Sequence, residues 1–299
     1  MQRILIVKTS SLGDVVHNLP VASDLAAALP GAVVDWVVEE SFAAIPALHP
    51  AVHRTIPVAL RRWRKSWWSA AAHNGIGAFL RELRLESYDA VIDTQGLLKS
   101  ALVTRAANGT RYGLDWRSSR EPLALFYDRT FHVPRTQQAV ERNRKLVAQA
   151  LGYAAGDKVS YGIAAVRETF SWQPADPYAV LIHATSAAKK LWAEAQWIAL
   201  GTALGKRGIR AVLPWGSAQE RERSERLNRA IPDSVVPPRL NLDHMGSLLA
   251  QAACAIGVDT GLTHLAGALG VGTVGLYIAT DPALTGLYGC AQAVNLGGV

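Results

Sequence analysis

The chain has 299 residues, 49% of them hydrophobic and 18% charged, with a net charge of +7. That is length enough for two domains and apolar content enough for a large core, and the basic balance points to an anionic partner: nucleic acid, a membrane surface or a phosphorylated ligand. The two cysteines, Cys254 and Cys290, exclude a disulfide framework and read as buried free thiols. No signal-peptide pattern opens the chain, and the longest late uncharged stretch, residues 265–280, is too short and too glycine-rich for a membrane helix. A soluble, cytoplasmic protein is expected, with basic residues able to touch a membrane surface.

Residues 4–7 are a continuous apolar run, as expected of a strand covered on both faces in a parallel sheet. A small polar loop follows at 8–13. Val15, Leu19, Ala22, Ala26 and Leu29 then fall on one helical face. This order puts the loop at the carboxyl end of the sheet, where open α/β folds bind ligands. Asp14 is the one acid there. It reads as a helix cap or as a free carboxylate. Pro20 would kink a helix begun at Asp14, so the helix proper is expected to start near Asn18.

Residues 33–38 read as a second strand, 42–48 as a short helix and 54–58 as a weak third strand. Next comes Arg61-Arg62-Trp63-Arg64-Lys65-Ser66-Trp67-Trp68, with four cations and three tryptophans in eight residues. Arginine forks bind phosphate or carboxylate bidentately. Indole rings cover sugar or lipid faces, or stack on bases. The plainer reading is a surface helix whose tryptophans pack inward.

An amphipathic helix is predicted at 79–85 and a strand at 88–93. A polar, glycine-containing loop and another helix follow, making Gln95 and Lys99 candidate ligand contacts, with a plain turn as the alternative. Arg111-Tyr112-Gly113 would end the next strand. Arg117, Arg120, Arg129 and Arg135 add a scattered basic surface. Residues 139–151 read as a helix stopped by Gly152.

Glycines and prolines crowd residues 152–177, and the domain boundary is placed there, giving domains 1–155 and 156–299. A strand at 178–183 leads into a loop holding Thr185, Ser186, Lys189 and Lys190, then a helix with Trp192 and Trp197. Hydroxyls, an ammonium group and a helix N-terminus together suit a phosphate. After a strand at 209–213, Glu220 either accepts bonds from a ribose diol or only faces the start of a charged helix at 221–230. A short strand at 234–236 precedes Leu240 and a helix at 245–252.

The sharpest motif comes last. A strand at 255–258 is followed by Asp259-Thr260-Gly261-Leu262-Thr263-His264, which opens a helix. Its small residues let a phosphate approach backbone amides. Asp259 can bind sugar hydroxyls, Thr260 and Thr263 can donate, and His264 falls in the first helical turn. Residues 270–275 match Gly-x-Gly-x-x-Gly but precede a strand instead of following one, the wrong context for a dinucleotide. No Walker loop, His-Glu-x-x-His or cluster of metal ligands is present in the sequence, so neither a metal nor a cofactor is expected.

These motifs resemble the lipopolysaccharide heptosyltransferase family. The residues that carry the likeness are Lys8-Thr9-Ser10-Ser11-Leu12-Gly13-Asp14-Val15, Asp35-Trp36-Val37-Val38-Glu39-Glu40, Arg61-Arg62-Trp63-Arg64-Lys65, Asp93-Thr94-Gln95-Gly96-Leu97 and Val258-Asp259-Thr260-Gly261-Leu262-Thr263-His264. The Arg-Arg-Trp-Arg-Lys stretch is similar to that of the branch adding the first heptose to the Kdo (3-deoxy-octulosonate) sugar of Kdo–lipid A.

The resemblance implies an α/β, GT-B architecture, two Rossmann-like domains facing across a cleft, and a metal-independent inverting transfer. The first domain would hold the acceptor and the second the ADP-heptose donor. Asp14 would be the general base. Lys190, or Lys189 in its place, would stabilise the departing diphosphate with Thr185 and Ser186. Thr260 and Gly261 would add contacts to the same phosphates, with His264 beside them. Asp259 would hold the heptose, and Glu220 and Leu240 would flank the adenosine. Arg61, Arg62, Arg64 and Lys65 would grip anionic groups of the acceptor, with Arg120 a further candidate.

The work would be done on the cytoplasmic face of the inner membrane, in peripheral contact with its anionic surface and with no nucleic acid. Relatives continue into a C-terminal helix that crosses back to the first domain, and it is expected to be missing here. The runner-up is a later-acting heptosyltransferase using the same donor on an already heptosylated core. A basic nucleic-acid-binding protein would leave the Asp259 and Lys190 loops without a role. A nucleotide-sugar sensor would keep those loops but tolerate loss of Asp14.

Overall fold

The computed structural model describes residues 1–66 and 68–298. Trp67, one of the three tryptophans in the basic stretch, lies outside the described residues, as does Val299. The chain divides into two compact units, Met1–Ile163 and Ala164–Val299. Each is a parallel α/β sheet with its own core.

The first unit runs β1 Arg3–Val7, α1 Leu12–Val16, α2 Leu19–Ala28, β2 Val33–Glu39, α3 Ala44–Ala47, β3 Val52–Val58, α4 Leu60–Lys65 and α5 Ala70–Leu83. It continues with β4 Ser87–Asp93, α6 Leu98–Ala106, β5 Asn108–Leu114, β6 Arg129–Phe131 and α7 Ala139–Leu151. Its six strands lie in the order β3-β2-β1-β4-β5-β6, all parallel. The order reverses between β1 and β4. Ligands collect at such a reversal, beyond the carboxyl ends of the strands. Ile4, Leu5, Ile6 and Val7 are fully buried, as a strand covered on both faces requires.

The second unit runs β7 Tyr178–Ile182, α8 Glu194–Gly205, β8 Arg210–Val212, α9 Ala218–Ala230, α10 Leu242–Ala250, β9 Cys254–Val258, α11 Gly261–Ala268, β10 Thr273–Tyr277, α12 Pro282–Thr285 and β11 Ala293–Gly297. The strand order is β11-β10-β9-β7-β8, again all parallel, with the reversal between β7 and β9. Leu181, Trp197, Leu213, Leu227 and Val258 pack together beside this sheet. Among the described residues, no helix is long and apolar enough to cross a membrane.

Several expectations need correction. Asp14 is not in a loop: it sits in α1, a single turn, and α2 starts separately at Leu19 behind Asn18, with Pro20 in its first turn. There the missing proline N–H costs nothing. Helix α5 begins at Ala70, well before residue 79. The Ser69 side chain accepts from the Ala72 amide and caps it. Gly75, a breaker by propensity, is needed because a Cβ there would lie 2.8 Å from Trp63 Nε1.

Residues 234–236 form no strand. Val235 makes one isolated bridge to Val212, and Pro237 and Pro238 then offer no amide to continue a ladder. Trp192 precedes α8 instead of lying in it. The short edge strand β6 was not foreseen, since its residues are mostly exposed. Cys254 and Cys290 are free thiols, but half-buried instead of buried.

Candidate active site

In the first unit, β1 and β4 run side by side, with Val7 opposite Asp93. The loops that leave them are stitched together. Gln95 Oε1 accepts from the amides of Thr9, at 3.1 Å, and Ser10, at 3.0 Å. Lys99 Nζ donates to Ser10 Oγ. Behind them, Asp93 is fully buried. Its Oδ1 accepts from the Gln95 and Gly96 amides at 2.8 and 3.0 Å, and its Oδ2 from the Tyr127 hydroxyl at 2.8 Å. The turn needs a left-handed residue, and Gly96 supplies it with φ +67°. Burial pushes the Asp93 carboxyl up despite these donors.

Asp14 Oδ2 accepts from both the amide and the hydroxyl of Ser11, each at 2.8 Å. Its Oδ1 makes no hydrogen bond among the described residues. The cap reading therefore holds for one oxygen, and the other oxygen is left over. Burial pushes the Asp14 carboxyl up. The Lys8 ammonium and the two Ser11 donors outweigh that, and the net shift is downward.

Lys8 is buried, with Nζ 2.7 Å from the Thr94 carbonyl and 3.4 Å from Asn143 Oδ1. Asn143, on α7, also donates to the His17 carbonyl at 3.3 Å. Burial lowers the Lys8 ammonium, and the charges of Asp14 and Asp93 oppose the fall. Sequence reasoning missed Lys8 and Asn143 as site residues. The signal for Lys8 was a lysine on the step directly after a wholly buried strand. For Asn143, in the middle of a helix far along the chain, there was none.

The basic stretch divides by direction. Trp63 faces the core, 8% exposed, its ring centroid 5.8 Å from that of Phe79. It cannot cover a ligand, which corrects the reading of this indole as a sugar- or lipid-covering ring. Trp68 is 74% exposed. Arg61 lies over the Phe42 ring at 5.0 Å. Arg62 is committed to Glu40, with forked contacts of 3.1 and 2.9 Å. Arg64 and Lys65 are exposed, with no hydrogen bond or ion pair among the described residues.

Lys99, on α6, ties that helix to the β1 loop. Burial lowers its ammonium, and the charges of Arg61, Glu39, Asp14 and Arg64 all act on it. Arg120, exposed, acts on Lys8. The structure thus gathers Asp14, Lys99, Arg61, Arg64 and Arg120 around one strand-end reversal.

In the second unit, β7 and β9 are neighbours, with Ile182 opposite Gly257. Gly257 is a close-approach glycine: a Cβ would meet Thr263 Oγ1 at 2.1 Å. Thr263 donates that hydroxyl to the Val258 carbonyl at 2.7 Å, so its role is to hold the strand–helix turn. Asp259 gathers the loops. Its Oδ2 accepts from Lys190 Nζ and from Thr280 Oγ1, each at 2.7 Å, and its Oδ1 lies 3.4 Å from His264 Nε2. Burial works against ionisation, but His264, Lys190 and Thr280 hold the carboxyl well below the usual range.

Thr185 Oγ1 donates to the Asp259 carbonyl at 3.2 Å. Thr260 stands at the N-cap position of α11 without a side-chain cap bond, and the first amides of that helix have no partner within it and suit an anion. Ser186 and Lys189 are exposed, and Lys189 makes no hydrogen bond or ion pair among the described residues, whereas Lys190 is the lysine on Asp259.

Glu220 lies in the first turn of α9. Its Oε2 accepts from the Gly216 and Ser217 amides at 2.7 and 3.1 Å, as a capping carboxylate does. Leu240 is half-buried just before α10. Thr280, which follows β10, was missed: a lone strand-end threonine carries no spacing signal. Among the described residues, no group of three or more His, Cys, Asp or Glu is placed to hold a metal ion.

Both clusters sit at strand-order reversals, one built around a carboxylate with a spare oxygen, the other around hydroxyls, a lysine and helix amides. Comparisons with known proteins give the family. Residues 76–297 match the family described as glycosyltransferase family 9 (heptosyltransferase). The chain is 49% identical to lipopolysaccharide heptosyltransferase 1 of Escherichia coli K12, covering 98% of this chain and 92% of that protein. It is 50% identical to lipopolysaccharide heptosyltransferase 1 of Pseudomonas aeruginosa, covering 99% of this chain and 83% of that protein.

Among solved structures, E. coli heptosyltransferase WaaC with ADP superposes with a TM-score of 0.91 and 45% identity, covering 99% of this chain and 94% of that one. The same enzyme with ADP-2-deoxy-2-fluoro heptose gives 0.87 and 44%, covering 99% and 93%. The chain belongs to glycosyltransferase family 9, the heptosyltransferases, and has their two parallel-sheet α/β domains.

Proposed function

We propose that this heptosyltransferase moves heptose from ADP-heptose to the Kdo sugar of Kdo–lipid A, with inversion, using Asp14 as the base. The observation that carries the proposal is the Asp14 carboxylate: favoured in its ionised form by Lys8 and Ser11, fixed through one oxygen by Ser11, and with the other oxygen making no hydrogen bond among the described residues. A general base needs that combination. Asp14 takes the proton from the acceptor hydroxyl, whose oxygen attacks the anomeric carbon as the bond to the diphosphate oxygen breaks.

Charge then builds on the leaving diphosphate. Lys190, the hydroxyls of Thr185, Ser186 and Thr260, and the first amides of α11 at Gly261 supply a cation and donors for it. Asp259 and His264 hold the heptose hydroxyls. Because Asp259 engages Lys190 and Thr280 through Oδ2, it enters this role already ionised and oriented. Glu220 and Leu240 flank the adenosine. Arg61, Arg64 and Lys65 grip the acceptor's carboxylate and phosphate groups, with Arg120 beside them. Arg62 joins once its fork is released by Glu40.

Exposed Trp68 next to these cations favours an acceptor that is both anionic and lipidic. The work then belongs at the anionic cytoplasmic face of the inner membrane. Mass spectrometry of the lipid after incubation with ADP-heptose tests the acceptor. Kdo–lipid A should gain one heptose, and an already heptosylated core none. Extension of the heptosylated core alone would move the enzyme to a later step, and transfer to neither would remove the reading.

A further inference from the structure

The second unit holds a cavity of about 660 Å³ that none of the roles above uses. It lies between one face of α9 and the proline-containing segment at 236–239. Its walls include Trp215, Arg221, Glu225, Arg229, Pro237 and Arg239. The volume falls in the range of small-molecule sites.

The site is built in three ways. The Trp215 ring is fixed, since its Nε1 donates to the Pro237 carbonyl at 2.9 Å, and adjacent prolines stiffen the opposite wall. The Arg221 guanidinium lies over that ring at 5.3 Å, and its Nε donates to Glu225 at 2.8 Å. Arg229 and Arg239 make no hydrogen bond or ion pair among the described residues. The lining therefore holds three guanidinium groups against one carboxylate that is already engaged. A flat tryptophan–arginine wall beside two unengaged arginine forks fits a ligand that joins a planar ring to a phosphate.

We propose that this cavity binds a phosphate-bearing ring compound of the nucleotide class, as a site separate from the Lys190–Asp259 cluster. Arg221 follows Glu220 directly in sequence, and Arg239 precedes Leu240. Occupancy is thereby placed next to the two residues proposed to flank the donor adenosine. A ligand here would hold that segment and change donor affinity without touching the reacting atoms.

The test is binding of AMP, and separately of inorganic pyrophosphate, to the full chain. Equilibrium dialysis and tryptophan fluorescence would be compared for the wild type, Arg229→Glu/Arg239→Glu and Lys190→Ala. The expected result is a second AMP-binding event in the wild type that quenches Trp215. It should survive Lys190→Ala and weaken roughly tenfold or more in Arg229→Glu/Arg239→Glu, where charged hydrogen bonds are lost. The double variant should keep its ADP binding at the donor site. A single AMP site untouched by the double variant would overturn the proposal. So would loss of all nucleotide binding in that variant, which would make the cavity part of the donor site. Binding of pyrophosphate but not AMP would overturn the ring assignment. Because the changed arginines are exposed, the fold is not at stake, and Trp215→Phe gives an independent control for the fluorescence change.

Discussion

A carboxylate that works as a base has to stay ionised where water is scarce. At Asp14, burial alone would raise the carboxyl, and Lys8 with the Ser11 donors reverses the sign. A base whose folded value is lowered loses activity only when pH falls through that lowered value. Removing the ammonium leaves the burial effect less opposed. Lys8→Met should therefore move the acid limb of the kcat/KM profile to higher pH, while the Ser11 contacts still orient the carboxylate. A limb that stays where it is in the wild type would mean that Lys8 only fills space. Lys8 also ties the β4 loop and α7 to the site through Thr94 and Asn143, so a melting curve should accompany the profile.

Among the elements, α4 shows how one short helix serves two tasks. Its tryptophan points into the core against Phe79, and its cations remain outside. The two tasks predict separable variants. Trp63→Ala should cost about 3–5 kcal/mol of stability, as loss of a buried aromatic does. Arg64→Ala should leave thermal stability unchanged and raise KM for the acceptor roughly tenfold or more, the scale of a charged hydrogen bond. Equal destabilisation by both would contradict this division.

The same helix marks what the sequence reveals and what it hides. Cation clustering was legible, because charge needs no structure to be counted. The direction of Trp63 was not, because it depends on a pocket formed by Gly75 and Phe79 further along the chain. Helix α7 was legible to the residue, since an amphipathic run ended at Gly152 with φ +75°. Strand β6 was not, because three mostly exposed residues on a sheet edge carry no apolar pattern.

The parallel α/β class of the whole molecule followed from alternating apolar runs and helical faces. The strand orders did not, because they depend on which strands pair. Only those pairings show that the Lys8–Asp14 loop meets Gln95, and that Asp259 meets Thr185. In the same way Glu220 looked like a ribose contact or a cap from its position, and its capping bonds appear only once Gly216 and Ser217 are placed.

Because each unit has its own sheet and core, each is expected to unfold as its own cooperative transition. ADP should raise only the transition of the unit holding Lys190 and Asp259, by about 2.7 kcal/mol at a ligand concentration one hundred times Kd. A rise of the other transition alone would misplace the donor site. With a net charge of +7, KM for an anionic acceptor should climb with ionic strength.

The most direct measurement of the central claim is heptose transfer to Kdo–lipid A by Asp14→Asn beside the wild type, read by mass spectrometry, with ADP binding measured on both. Asparagine keeps the shape and can still accept from Ser11, but it cannot take a proton. The account predicts ADP binding unchanged and transfer reduced roughly a hundredfold or more, the usual contribution of a positioned base. Transfer at the wild-type rate by Asp14→Asn would contradict it and leave Asp14 as a helix cap.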